Sequence, residues 1–319
     1  MSAKALILTD GKAGHENQSK ALARMLGLDF ELAPVSFRFT GAKALSYLLD
    51  NIGVRTQSLF RFVPQPSGAS AGTVPEPAAR PAVVIGTGSG TFYAAKTMAR
   101  KLGAKCAVVL YPRGYSTGSF DCILAPAFDN PPPAGNTVEL PMNLVANDAA
   151  FYERGEAEFL KRHTPSGRPA VAVIVGGPNK CSTMTAGWMK GELDRLFADA
   201  SGCEKWVTTS RRTPPDVEKI VDSYPWDYKL IYSRDTFNPI PAFVKLAGRL
   251  YVTAESTGML SEACTCGAAE VYVLDNLKPG GHKFRRFVEN LRAGGYVEGA
   301  RKADVSSELQ TVRSLLGLQ

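Results

Sequence analysis

The segment Arg249-Leu-Tyr-Val-Thr-Ala-Glu-Ser-Thr-Gly-Met-Leu-Ser-Glu-Ala-Cys-Thr-Cys-Gly267 joins a strand pattern, a small polar turn and a helix pattern. Its first five residues predict a strand, and the apolar residues after the turn recur at helical spacing. A tight Ser/Thr/Gly turn between a strand and a helix directs backbone N–H groups and the positive end of the helix dipole at one place. The segment therefore favours phosphate binding, although many α/β proteins have such a turn without a ligand.

The turn and the start of the helix supply candidate binding residues. Ser256, Thr257 and Gly258 would present N–H and hydroxyl groups to a diphosphate. Glu262 lies one helical turn further on, where its carboxylate would accept hydrogen bonds from the two hydroxyls of a ribose. A second strand pattern and a second helix pattern follow. We interpret the region as a βαβα unit that holds a nucleoside diphosphate.

Two further strand ends carry candidate phosphate contacts. Gly176 and Gly177 directly follow an apolar run, at the position of a phosphate-binding turn. Ser210, Arg211 and Arg212 follow another strand pattern, and paired arginines at the end of a strand are well placed to clamp a diphosphate. The alternative is two solvated arginines before a helix that begins with proline.

The loop Asp10-Gly-Lys-Ala-Gly-His-Glu-Asn-Gln18 follows the first predicted strand, where open α/β sheets place their binding sites. Its spacing is not that of a Walker loop, and His15 is either a functional side chain or a residue near a helix start with no chemistry. The later run Gly86-Thr-Gly-Ser-Gly90 does not complete a dinucleotide fingerprint, so the sequence does not support NAD binding.

Composition limits the class of protein. The chain has 319 residues, 45% hydrophobic, with a net charge of +7, six scattered cysteines and three histidines. This composition excludes dominant disorder and gives no zinc spacing, and no run approaches the roughly 20 apolar residues of a membrane span. The basic residues are dispersed, which argues against nucleic acid as a partner and favours anionic ligands or an anionic membrane surface. We expect a cytoplasmic protein that needs no cofactor or metal.

Strand and helix patterns alternate along the whole chain, which predicts an α/β fold with two doubly wound domains. The Pro/Gly-bounded segment 163–169 is the predicted boundary, giving an N-terminal domain of residues 1–165 and a C-terminal domain of residues 166–319. We expect residues 64–81 to form a flexible surface loop and residues 126–141 to be irregular.

Five ordered motifs, spread over nearly the whole chain, resemble the elongated-mitochondria fission-protein family of bacteria and plants: Asp10–Gln18, Gly176–Asn179, Thr208–Pro214, Ser261–Ala263 and Lys283–Phe287. That family is similar to the GT-B glycosyltransferases, in particular the peptidoglycan N-acetylglucosaminyltransferase. The resemblance implies a GT-B-like fold, in which two Rossmann-like domains face each other across a cleft. It implies a nucleotide-sugar donor in the C-terminal domain and an acceptor on the N-terminal side.

Three functions remain open at this point. The first is a metal-independent glycosyltransferase, favoured because the sequence contains no Asp-x-Asp, in which His15 or Asp10 would take the proton of the acceptor hydroxyl. Its acceptor is unknown, lipid-linked or glycan-linked, and peripheral association with the inner membrane face would suit it. The second is a non-catalytic binding or scaffold protein of the same fold. The third, a nucleotide-sugar epimerase, would require a dinucleotide fingerprint and a Tyr-x-x-x-Lys pair, which are both absent.

Overall fold

The computed structural model describes residues 3–63, 80–299 and 301–318. The chain divides into two compact units: unit 1 comprises Met1–Ala146 together with Val305–Gln319, and unit 2 comprises Asn147–Asp304. Each unit is built on its own sheet. Most of the loop predicted at 64–81 lies outside the described residues.

Unit 1 contains, in the part of it that is described, a seven-stranded sheet in the order β3-β2-β1-β4-β5-β6-β7. All neighbouring strands are parallel except β2 and β3. The strands are β1 Lys4–Thr9, β2 Asp29–Phe37, β3 Phe60–Phe62, β4 Val83–Thr87, β5 Lys105–Val109, β6 Cys122–Pro126 and β7 Thr137–Leu140, and the helices are α1 Ala13–Met25, α2 Ala42–Asn51, α3 Phe92–Leu102 and the C-terminal α10 Ser306–Leu316.

Alternation along the parallel strands divides the core of unit 1 between the two faces of the sheet. Leu6 and Leu8 point to the face covered by α3, whereas Ile7 points to the face covered by α1. Val312 and Leu316 of α10 are buried in the second core. The C-terminal helix therefore belongs to unit 1, and the prediction that 166–319 forms one domain is wrong for the last residues.

Unit 2 contains, within its described residues, a five-stranded parallel sheet in the order β10-β9-β8-β11-β12. The strands are β8 Ala170–Ile174, β9 Glu204–Thr208, β10 Tyr228–Leu230, β11 Arg249–Thr253 and β12 Glu270–Leu274, and the helices are α4 Ala149–Leu160, α5 Ala186–Asp199, α6 Pro215–Asp222, α7 Ile240–Leu246, α8 Thr257–Thr265 and α9 Lys283–Ala293. The α/β class with two doubly wound, Rossmann-like units is thus confirmed.

Helix α4 belongs to unit 2, so the predicted boundary after residue 165 is too late. Phe159 is fully buried, with ring contacts to Trp206 and Phe243. A Cβ added at Gly155 would lie 2.5 Å from Pro241 Cβ, so α4 and α7 approach at a glycine. The segment 163–169, bounded by proline and glycine, joins α4 to β8 inside unit 2. Its composition is that of a linker between domains, but it does not connect the two units.

The segment 126–141, predicted to be irregular, contains strand β7. Val138 and Leu140 are buried between polar neighbours and pair the strand with β6. Four residues with two apolar positions give too short a pattern to distinguish from a loop. In the described part of the chain, no helix combines the length and hydropathy needed to cross a membrane.

Glu204 fastens the start of β9 to the segment that follows α4. Its carboxylate accepts hydrogen bonds from Ser166 N at 2.7 Å, Ser166 Oγ at 2.6 Å and Trp206 Nε1 at 2.9 Å, and it lies 2.5 Å from His163 Nε2. Burial alone would raise the pKa of Glu204, but the bonds from Ser166, Trp206 and His163 lower it to about 2.

We expect Glu204→Gln to lower the free energy of unfolding at pH 7 by about 1–3 kcal/mol, because the lost acceptor is charged and buried. The ionised carboxylate contributes fully above its ordinary pKa of 4.5, and this contribution is lost as the pH falls towards 2. Urea unfolding of variant and parent should therefore converge below pH 4.5. Glu270→Gln, at the exposed start of β12, is the control. A Glu204→Gln loss that stayed constant between pH 7 and 3 would contradict this account.

Candidate functional site

The strand order of unit 2 reverses at β8, since β9 and β10 lie on one side of it and β11 and β12 on the other. Loops that leave two such central strands in opposite directions open a crevice at the carboxyl end of the sheet. We expect such a crevice here, between the loop that begins at Val175 and the loop that begins at Ala254. Gly176 N donates a hydrogen bond of 2.9 Å to Thr253 Oγ1 across it.

Gly176 and Gly177 are required by the closeness of neighbouring loops. A Cβ at Gly176 would lie 2.1 Å from Glu255 Oε1, and one at Gly177 would lie 2.3 Å from the carbonyl oxygen of Arg212. The structure therefore brings together three predicted binding segments: the two glycines, the arginine turn and the turn before α8. Only glycine permits this approach, which explains why both positions lack a side chain.

The turn before α8 has its backbone donors at the open edge of the crevice. Ser256 is the residue before the helix, is 9% exposed, and caps no N–H with its side chain. Thr257 is half-buried, Gly258 is exposed, and a Cβ at Gly258 would meet open space. The first N–H groups of a helix have no partner within the helix, so this nine-residue helix presents donors here.

Two buried polar side chains line the same place. Glu255 and Asn276 are each 3% exposed. Glu255 Oε1 accepts a hydrogen bond of 3.0 Å from Thr253 Oγ1, while Glu255 Oε2 and both side-chain polar atoms of Asn276 have no well-formed hydrogen bond within the described residues. Burial raises the pKa of Glu255, and the nearby donor groups of its own backbone, the Asn276 amide, Thr253 and the Gly177 backbone offset this only in part. Such unsatisfied buried groups are rare in proteins and mark functional or strained places.

The predicted arginines lie on the surface beside this cluster. Ser210 N donates to Thr213 Oγ1 at 2.8 Å, which closes the turn that carries Arg211 and Arg212. Both arginines are exposed, and neither forms an ion pair with a carboxylate in the described part of the chain. They are available for an anion, and the alternative of two solvated arginines also fits this geometry.

Glu262 is held by α4 and the residue just before it. Tyr152 Oη donates to Glu262 Oε1 at 2.9 Å, and Asn147 Nδ2 donates to the same oxygen at 3.2 Å. Burial raises the pKa of Glu262, and these two bonds offset it in part. Glu262 Oε2 makes no hydrogen bond to the residues that the structure describes. One carboxylate oxygen is thus engaged in the fold.

Unit 1 has the corresponding reversal at β1, with β2 on one side and β4 on the other. His15 Nδ1 lies 3.1 Å from both carboxylate oxygens of Asp10, and Lys12 Nζ donates to Asp10 Oδ2 at 2.9 Å. Burial would raise the pKa of Asp10, but Lys12 and His15 outweigh it and the pKa is lowered. Asp10 is therefore a carboxylate at neutral pH, and it orients a His15 ring that is 25% exposed.

The loop after β4 packs on this pair. A Cβ at Gly88 would lie 2.4 Å from His15 Cε1, and one at Gly90 would lie 2.8 Å from Asp10 Cβ. The glycine run that did not fit a dinucleotide fingerprint thus has another role, which is to admit the His15 ring. The other two histidines are structural: His163 binds Glu204, and His282 accepts a hydrogen bond from Arg285 N at the start of α9.

Sequence reasoning missed four residues of the unit 2 crevice and its surroundings: Tyr152, Thr253, Glu255 and Asn276. Glu255 stands next to Ser256 in the segment that decided the fold, yet a glutamate in a turn is ordinarily solvated. No periodicity distinguishes it from an exposed carboxylate. Among the described residues, no three His, Cys, Asp or Glu side chains are grouped so that they could hold a metal.

Comparisons with known proteins place this chain in a family. The model of the mitochondrial fission ELM1 family matches residues 13–314. The mitochondrial fission protein ELM1 of Arabidopsis thaliana is 24% identical over an alignment that covers 92% of this chain and 83% of that protein. Uncharacterized protein RP120 of Rickettsia prowazekii (strain Madrid E) is 28% identical over 159 residues, which is 48% of this chain and 44% of that protein.

Solved structures show the fold. UDP-GlcNAc 2-epimerase from Neisseria meningitidis, bound to UDP-GlcNAc, superposes with a TM-score of 0.52 at 10% identity and 99% coverage of both chains. MurG of Acinetobacter baumannii gives a TM-score of 0.48 at 14% identity, covering 98% of this chain and 92% of that one. The fold is GT-B-like, and a likeness at such low identity says nothing about activity. An epimerase can therefore have this fold.

We expect Gly88→Ala to lower the free energy of unfolding by more than Gly11→Ala does. Both glycines have positive φ, +79° and +78°, so both substitutions incur a backbone cost of about 1–2 kcal/mol. Only Gly88→Ala also forces the His15 ring to move, because a Cβ at Gly11 meets nothing within 4 Å. Urea unfolding measures the difference, and NMR of the His15 ring should report a shift in Gly88→Ala alone. Equal losses and an unmoved ring would contradict the packing described here.

Proposed function

Because this chain belongs to the mitochondrial fission ELM1 family and has a GT-B-like fold, we propose that unit 2 binds a nucleoside-diphosphate sugar and that the protein transfers the sugar without a metal. The UDP-GlcNAc named with the Neisseria meningitidis structure makes a UDP-sugar the first donor to test. The acceptor class stays open between lipid-linked and glycan-linked hydroxyls. Cytoplasmic location and peripheral membrane association remain predictions, because the donor site says nothing about either.

The observation that carries this proposal is the unsatisfied polar cluster at the reversal point of unit 2. Glu255 Oε2 and the Asn276 amide are buried without well-formed partners within the described residues, beside the free N–H groups at the start of α8. An unsatisfied buried polar group costs roughly 1–3 kcal/mol, so the retention of such groups at this place supports a binding role. The diphosphate of a nucleotide sugar would use the helix donors, and its hydroxyl groups could donate to the Glu255 carboxylate.

The remaining contacts follow from where the side chains lie. The diphosphate would rest on the N–H groups at Thr257 and Gly258, with Arg211 and Arg212 turning towards it from the surface. Two cations and a helix N-terminus stabilise the negative charge that develops on the leaving diphosphate. Glu262 Oε2 would accept the hydroxyl groups of the ribose, while Oε1 stays bonded to α4.

His15 would act on the acceptor. With Nδ1–H donated to Asp10, the free Nε2 of a neutral ring can take the proton of an acceptor hydroxyl. The hydroxyl oxygen then bonds to the anomeric carbon as the bond from that carbon to the diphosphate oxygen breaks. Asp10 is better suited to holding the ring than to taking the proton, because its pKa is lowered. We therefore propose His15 as the base and Asp10 as its positioning residue.

The non-catalytic alternative keeps the donor site and loses turnover. It takes its support from the Arabidopsis thaliana relative, which is named as a mitochondrial fission protein and not as an enzyme. Titration calorimetry with UDP, ADP, GDP and UDP-GlcNAc tests the site that both functions share. Binding of a nucleoside diphosphate supports the site, and no binding by any of the four would overturn it. Release of UDP from UDP-GlcNAc in the presence of lipid or glycan acceptors then separates enzyme from scaffold.

Glu262→Ala should weaken UDP binding by roughly 1–3 kcal/mol, the cost of losing a charged hydrogen-bond acceptor. The matched control is Tyr152→Phe, which removes a bond to Oε1 but leaves the carboxylate in place. Calorimetry should show a large loss for the first and a small one for the second. Equal affinity of Glu262→Ala and parent would show that the ribose assignment is wrong.

His15→Ala should lower sugar transfer by about 10²–10⁴-fold, the usual contribution of a general base, with donor binding nearly unchanged. Asp10→Asn should lower transfer as well while leaving UDP affinity intact, because the amide no longer holds the same ring tautomer. Initial rates and calorimetry on the same preparations separate the two effects. Transfer that survives both substitutions would move the base to another residue.

A further inference from the structure

Helix α2 of unit 1 is inverted relative to an ordinary surface helix. Its buried residues are Ala42, Ser46 and Asp50, so two of the three inward positions are polar. Its exposed positions carry Leu45, Leu48 and, at its end, Ile52, which are 37%, 60% and 65% exposed. These three residues follow the i, i+3, i+7 spacing of a single helical stripe. Phe39 just before the helix and Val54 just after it are 53% and 42% exposed. We call these five residues the α2 apolar face.

The inward polar residues of α2 are fully used by the fold. Ser46 Oγ lies 2.9 Å from Tyr115 Oη, and both oxygens of Asp50 lie 2.9 Å from Lys96 Nζ. Arg55 adds a second ion pair to Asp50 at 3.1 Å. These polar contacts fix the helix to unit 1 together with Tyr47 and Leu49, which pack against its core, whereas Leu45 and Leu48 stay exposed. An apolar stripe that the fold does not use is typical of a surface that meets another apolar phase.

The exposed charges of the chain segment that carries this face have one sign. Arg38, Lys43 and Arg61 are exposed on the segments that flank the α2 apolar face. Asp50 is the one acidic residue between positions 32 and 63, and its side chain is fully buried in its ion pairs. The surface thus combines outward apolar side chains with cations and exposes no carboxylate of its own segment. That combination is complementary to an anionic lipid surface, where phosphates meet the acyl chains.

We propose that the α2 apolar face binds an anionic membrane surface. The helix lies in the plane of the interface, with Leu45, Leu48 and Ile52 at the boundary of headgroups and acyl chains. Arg38, Lys43 and Arg61 contact the lipid phosphates. The stripe is short, so attachment is reversible and depends on both apolar and charged contacts. This surface is independent of the proposed donor site, and it would attach a non-catalytic protein equally well.

Co-sedimentation of the full chain with vesicles tests the proposal. Parent protein should bind vesicles in which phosphatidylglycerol replaces part of the phosphatidylcholine, should bind pure phosphatidylcholine weakly, and should be released by salt. Leu48→Ser with Ile52→Ser should lower the partition coefficient more than about tenfold, because burying one large apolar side chain is already worth a factor of ten. Lys43→Ala with Arg61→Ala should abolish the preference for anionic vesicles.

The chain offers a matched control in Leu160→Ser, since Leu160 is 43% exposed at the end of α4 in unit 2. This variant should bind vesicles as the parent does. Thermal unfolding should be unchanged in all variants, because the altered side chains are exposed. Undiminished binding by the Leu48→Ser, Ile52→Ser variant would overturn the proposal. So would a parent that binds no vesicles but is a dimer by light scattering and becomes a monomer in that variant, which would make a second copy the occupant of this face.

Discussion

Both units depend on the same constraint, which is the close approach of loops at the carboxyl ends of their central strands. In unit 1, Gly88 leaves room for the His15 ring. In unit 2, Gly176 and Gly177 leave room for the Glu255 carboxylate and the arginine turn. A methyl group at any of these positions would lie within 2.4 Å of a neighbouring atom, closer than real contacts permit. The candidate site residues can therefore lie this close together only because the glycines have no side chain.

Carboxylates within unit 2 serve different ends. Glu204 accepts several hydrogen bonds and its pKa falls, so it stabilises the fold at neutral pH. Glu255 is buried and Glu262 is half-buried, and hydrogen bonds offset their desolvation only in part, so the pKa values of both rise and each costs stability when ionised. Groups that reduce stability persist where they do something else. The contrast separates a structural carboxylate from candidate binding carboxylates without reference to any relative.

Much of the fold could be predicted from the sequence, because parallel strands buried on both faces give continuous apolar runs and the helices between them have clear periods. Strand β11 and strand β12 have the predicted limits. The errors came from long-range packing. Nothing local shows that α10 returns to unit 1 or that His163 is held by Glu204, and β7 is too short to carry a pattern. The glycine turns and His15 could be found because turn chemistry is local, whereas Glu255 and Asn276 could not, since their burial depends on segments far apart in sequence.

The return of α10 makes unit 2 an insertion within unit 1. During synthesis, residues 147–304 emerge complete before the last element of unit 1 exists, so unit 2 can finish folding first although it lies later in the chain. Until Val312 and Leu316 are synthesised, the core that contains the buried residues of α1 is not fully covered. A nascent unit 1 therefore exposes apolar surface for as long as unit 2 takes to be made, and a chain shortened by its final helix would keep that surface open permanently.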